Sequence, residues 1–331
     1  MHRNQPYYVK QSGTHGQKRM NTIVYYLFPK CSLEQPAISF DVEDDRIISP
    51  SQFHYMTEIK KRMRECGRWN RLSIRPYANI HTISNISNVN LVFYEILELY
   101  SIMHFSWSNF FKLHTLHFGD DREMTEKAFK FIRNFSNHDT SYVASSTGLK
   151  YNPNHKIDIA FCHASSDNEH ENGKALLDQL LTVLVLQKQK GACIVKIGDT
   201  YTQLSLDIIA FLSHFYEKTY IMKPSVCDLT TCDKYIVCKN FLYDQVSEEV
   251  FKMHSLLRSH PEKFYIYRLF QKELPLFISG KMEEINSIFG QPRLEYIHQL
   301  LSSQPEPTTH NNDNRANKQK CLDWCGKYMG T

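Results

Sequence analysis

The apolar positions between residues 191 and 241 change period twice. Cys193, Ile194, Val195 and Ile197 form a short β-branched run, the pattern of a buried strand. Leu204, Ile208, Phe211, Leu212 and Phe215 then recur at helical spacing and predict an amphipathic helix. A second strand over 220–222 closes at Pro224, which cannot donate to a ladder, and Tyr235 and Val237 mark a third. Strand, crossover helix and strand in so short a stretch predict a right-handed βαβ unit of a parallel sheet. Upstream, the same two periods predict strands over 22–28, 113–118, 141–144 and 156–161, and helices over 88–104, 127–134 and 175–186, with a polar loop over 167–173. Downstream they predict helices over 247–258, 261–271 and 276–289. Residues 304–317 carry two prolines and several asparagines and are expected to be disordered. The class is α/β.

Composition narrows this picture. At 331 residues the chain can bury a sizeable core, and its 42% apolar and 22% charged content suits a globular protein. No apolar run reaches eighteen residues, so no membrane span or membrane partner is expected, and no apolar segment marks a secretory signal. Nine cysteines, scattered through the predicted strands, imply reduced thiols and a cytoplasmic or nuclear compartment. Cys321 and Cys325 read as a hydrophobic anchor or partner-docking tail rather than a metal site, and no metal is expected. The formal charge of +4 is small, so its placement matters more than its sum. Residues 1–20 carry Arg3, Lys10, Lys18 and Arg19 without an acid, as a basic arm or a disordered terminus would. Over 56–75, Lys60, Lys61, Arg62, Arg64, Arg68, Arg71 and Arg75 face only Glu58 and Glu65, with Trp69 and Tyr77 among them. Two readings stand: phosphate contact with base stacking on RNA, or a solvated helix face.

Lys196 sits at the inner end of a predicted buried strand, where a charge is costly. The residues around it form a pattern. Gly191 to Lys196 read GACIVK, Phe215-Tyr216 and Lys223-Pro224 follow, and then comes Cys232-Asp233-Lys234-Tyr235-Ile236-Val237-Cys238. In order, spacing and residue type this stretch resembles the FtsJ-type ribose 2′-O-methyltransferases, specifically the cap methyltransferases of eukaryotes and large DNA viruses. Leu274-Pro275-Leu276, Glu284-Ile285-Asn286 and Gly290-Gln291 resemble the helical extension after their catalytic core. The resemblance implies a Rossmann-like methyltransferase fold, a mostly parallel sheet with helices on both faces. It also implies helical extensions at both ends, S-adenosylmethionine as cofactor and capped mRNA as partner. It divides the chain into a basic arm and lead-in (1–50), a basic helical lead-in (51–83), the core (84–245), a helical extension (246–300) and a disordered tail (301–331).

The resemblance assigns catalysis to four positions. Lys196 matches the central lysine, with a snorkelling lysine at a strand end as the structural alternative. Asp233 stands where the family has glutamate, and His163 where it has aspartate; a neutral histidine satisfied by backbone is the alternative there. The frame of the first catalytic lysine is present as Val92-Phe93-Tyr94-Glu95-Ile96-Leu97, with Val92 in the lysine's place. Cofactor approach falls on the turn Gly119, Asp120 and Asp121, where the family has glycines. Side chains here predict a pocket partly filled and more acidic than in active relatives. Two functions follow as expectations. In one, the chain is a degenerate methyltransferase fold without cofactor, binding RNA or partnering an active capping or methyltransferase subunit. In the other, it is a working cap 2′-O-methyltransferase that uses S-adenosylmethionine with Lys196, Asp233 and His163.

Overall fold

The computed structural model describes residues 24–31, 36–41, 45–65, 75–103, 111–144, 155–164, 169–259, 265–302 and 310–329. The predicted apolar runs become strands β1 (Val24–Phe28), β3 (His114–Phe118), β4 (Thr140–Ala144), β5 (Ile157–His163), β6 (Gln187–Ile197), β7 (Tyr216–Lys223) and β8 (Lys234–Phe241). They pair into one sheet in the order β1-β7-β8-β6-β5-β3-β4. Two further strands, β2 (Pro36–Ser39) and β9 (Arg268–Phe270), make a small antiparallel pair. The helices are α1 (Pro50–Glu65), α2 (Ile80–Ser84), α3 (Leu91–Met103), α4 (Arg122–Ile132), α5 (Glu169–Leu186), α6 (Gln203–Phe215), α7 (Glu248–Ser259), α8 (Leu276–Ser302) and α9 (His310–Tyr328).

In the large sheet β3, β4, β5 and β6 are mutually parallel, and β7 runs the same way, separated from β6 by the antiparallel β8. One face packs Cys162, Cys193, Val195 and Ile236 against leucines of α5 and apolar residues of α6, α7 and α8. The other packs Phe161, Ile194 and Val237 against α3, α4 and α9. Buried on both faces, the central strands read as continuous apolar runs because neither side meets water. This is a Rossmann-like methyltransferase fold. The C-terminal ends of β3, β5 and β6 converge at one pole, where open α/β sheets place their sites.

Three expectations change. The third strand of the predicted βαβ unit, β8, inserts antiparallel between β6 and β7. The short loop after β7 allows only this return, since a parallel neighbour needs a long crossover. The strand expected over 22–28 is kept as β1, which extends the sheet antiparallel to β7, with Val24 opposite Lys223. Where a helix was expected over 261–271, the described part, 265–271, carries strand β9, whose three residues are all buried and leave no alternation to read. Helix α5 also begins at Glu169, inside the polar loop expected over 167–173.

The tail expected to be disordered over 301–331 carries α9. Its composition is polar, but Cys321, Trp324, Cys325 and Tyr328 share one helical stripe that packs on the α3 side of the sheet. Trp324 is 3% exposed and lies against Tyr94 and Tyr328, and its indole N–H donates to Glu98 Oε2 at 3.1 Å. Glu98 also accepts from the backbone N–H groups of Ser225 and Val226 at 2.7 and 3.2 Å. Trp324→Ala should therefore cost about 3–5 kcal/mol in urea unfolding, the range for a large side chain removed from a core. A loss under about 1 kcal/mol would show that α9 adds little to the fold.

Candidate functional site

The last residues of β6 bring Lys196 to the convergent pole with its side chain 11% exposed. Its ammonium meets three carboxylates, Asp121 Oδ2 at 3.3 Å, Asp233 Oδ2 at 3.6 Å and Glu95 Oε2 at 3.7 Å. Burial works against the charge, but Glu95, Asp233 and Asp121 outweigh it and lift the ammonium pKa above the ordinary lysine range. Glu95 comes from the first turns of α3, where Val92 one turn earlier is apolar and 5% exposed. Its carboxylate is itself held, accepting from the Tyr235 hydroxyl and from the Cys227 thiol. Asp233 arrives on the loop before β8.

Asp121 ends the turn after β3. In the N-cap position just before α4 an aspartate ordinarily caps the helix, yet this side chain makes no capping bond. It turns inward, reaching His163 Nδ1 at 2.9 Å as well as Lys196. Burial alone would raise its pKa, but contact with His163 and the Lys196 charge bring it down to about 2. The turn is fixed from below by Gly119, whose φ is +85° and whose missing Cβ would lie 2.0 Å from the His163 carbonyl oxygen. Any side chain there would push β3 and β5 apart. Gln179 of α5 holds the same residue, accepting from the His163 N–H at 3.1 Å and donating to its carbonyl at 3.0 Å. Val92, Asp121, His163, Lys196 and Tyr235 line one cavity among the described residues, of about 10 Å³. That is room for about one water molecule.

A second network lies beside the first. Asp199, just past β6, accepts from Lys60 Nζ of α1 at 2.8 Å and Arg293 Nη1 of α8 at 2.9 Å. Burial opposes its charge, while Arg293, Lys60 and Lys234 bring its pKa down to about 2. Glu169 accepts from the backbone N–H groups of Tyr201 and Thr202 and from the Thr202 and Ser205 hydroxyls, closing the start of α6.

The structure thus brings Val92, His163, Lys196 and Asp233 together with Gly119 and Asp121, while Asp120 is exposed. Lys60 is committed to Asp199; Lys61, Arg62 and Arg64 are exposed on α1; Arg68, Trp69 and Arg71 lie outside the described residues. Sequence reasoning missed Glu95 as a partner of Lys196, although a carboxylate within an otherwise apolar helix face was a visible signal.

No family model matches the chain. Two curated proteins resemble part of it. Over 71 residues it is 30% identical to a cap-specific mRNA (nucleoside-2′-O-)-methyltransferase 1 from Trypanosoma cruzi (strain CL Brener), covering 22% of this chain and 20% of that protein. It is 27% identical over 71 residues to the protein of the same name from Leishmania braziliensis, covering 22% of this chain and 18% of that one. The chain is methyltransferase-like. The matched stretch spans about a fifth of each relative's length. Among the described residues no helix is long and apolar enough to cross a membrane.

The ion cluster sets a pH dependence. Asp121 has a folded pKa below its unfolded value near 3.8, so its stabilisation is full above about pH 4 and is lost as pH falls towards 2. Asp121→Asn should destabilise the protein at neutral pH by about 2 kcal/mol, and the gap to the parent should close between about pH 4 and pH 2. Urea unfolding across that range measures it, and a gap independent of pH would contradict the assignment.

Proposed function

We propose that this chain is a methyltransferase-fold protein that binds capped RNA without methylating it, beside an active capping or methyltransferase subunit. The observation that carries this reading is the Asp121 carboxylate, set between Lys196 and His163 at 3.3 and 2.9 Å, where the resemblance puts a glycine turn. S-adenosylmethionine does not fit the described residues. The Asp121 carboxylate stands on the turn that would meet the cofactor's own carboxylate, and like charges there repel. Transfer to a ribose hydroxyl also needs positive charge beside the developing alkoxide. Val92 supplies none, and the Lys196 charge is offset by three surrounding acids, which also raise its pKa and so remove it as a base near neutral pH. The curated relatives act, by their names, on the mRNA cap, and the exposed cations Lys61, Arg62 and Arg64 of α1 supply phosphate contacts beside Tyr55, which is 60% exposed.

A working 2′-O-methyltransferase is the second reading, favoured by one observation: Lys196 and Asp233 do meet, at 3.6 Å. One pair of measurements on a capped oligoribonucleotide separates the two. Anisotropy should show binding whose salt slope flattens by about 2 units in the Lys61→Ala/Arg62→Ala/Arg64→Ala variant. Label from S-adenosylmethionine should not enter the RNA. Methyl incorporation that Lys196→Ala abolishes would establish the enzyme instead, and absence of RNA binding would end the binding reading.

A further inference from the structure

The pole of the sheet opposite Lys196 is basic. β6 enters it with Lys188 and Lys190, both exposed; Gln187 beside them pairs with Ile157 and Lys196 with His163, six residues of β5 or about 20 Å apart. Lys112 precedes β3 at the same end. Lys218 of β7 and Lys239 of β8 are directly paired in register there. The clustering is close enough to be felt: burial first, then Lys112 and Lys188, lower the His114 pKa, and burial then Lys218 lower that of Lys239. Acids at this end are few and engaged. Asp158 takes Lys188 Nζ and the His114 N–H, each at 2.9 Å. Glu217 takes the Asn240 amide at 2.8 Å and lies 3.9 Å from Lys218 Nζ, an exposed pair that a phosphate can displace. Like charges gathered on one surface repel, and a polyanion relieves that repulsion.

Aromatic rings accompany these lysines. Phe111, next to Lys112, is 76% exposed, and its ring lies 4.1 Å from that of His138 at 32°. A large ring held open beside cations suits a nucleobase better than an acidic peptide, which offers no flat face to stack. We infer that this pole is a second RNA contact surface, with Lys112, Lys190 and Lys218 on backbone phosphates and Phe111 stacking a base of a single strand. It rests on the reading that the chain meets RNA, but uses different residues from α1.

Titration of a fluorescein-labelled oligouridylate, at a series of salt concentrations, tests it on the full chain. Lys112→Ala/Lys190→Ala/Lys218→Ala should flatten the salt slope by about 2 units. Phe111→Ala should weaken binding by about 5- to 150-fold with the slope kept. All four positions are exposed, and melting curves should match the parent. If the parent binds and only the Lys61→Ala/Arg62→Ala/Arg64→Ala variant is impaired, this inference fails and the proposed function stands. If only the pole variants are impaired, the inference holds and the α1 contact fails. If polyglutamate displaces the oligonucleotide and Phe111→Ala changes nothing, the surface takes an acidic protein and the inference is overturned. No binding by the parent overturns both readings.

Discussion

A buried ammonium sets the terms for this structure. Lys196 sits at the end of a central strand, 11% exposed, and a cation there is stable only if acids come to it. Three do, each from a different segment: Glu95 from α3, Asp121 from the turn after β3 and Asp233 from the loop before β8. Each carboxylate therefore ties a segment to the same point. Glu95 also holds Tyr235 and Cys227, and Asp121 also holds His163, so the pole of the sheet is closed by one connected set of polar contacts.

That closure bears on chemistry through Asp121. A carboxylate freed from capping α4 can satisfy Lys196 only by lying across the turn, and Gly119 lets β3 approach β5 closely enough for it to reach. Asp199 performs a parallel task one loop later, holding α1 and α8 against the end of β6 through Lys60 and Arg293. Removing either partner of such a pair would strand a charge in a low-dielectric setting, which costs more than the pair contributes.

Much of the fold was legible because buried strands and amphipathic helices leave strong periodic signals, as at Cys193–Ile197 and over α6. Lys196, Asp233, His163 and Val92 were legible as a group through the family resemblance, and they do converge. What escaped was long-range or compositionally masked. Arg293 and Asp199 lie 94 residues apart, and no local pattern links them. Helix α9 was hidden by its polar residues, although Cys321, Trp324, Cys325 and Tyr328 already spelled a helical stripe. Strand β9, three residues long and buried throughout, has no period at all.

We propose that Asp121, held by Lys196 and His163, occupies the place that the resemblance gives to a cofactor-binding turn. Calorimetric titration of the full chain with S-adenosylmethionine tests it most directly. No heat of binding in the micromolar range is expected, whereas a saturable signal with one site per chain would contradict it.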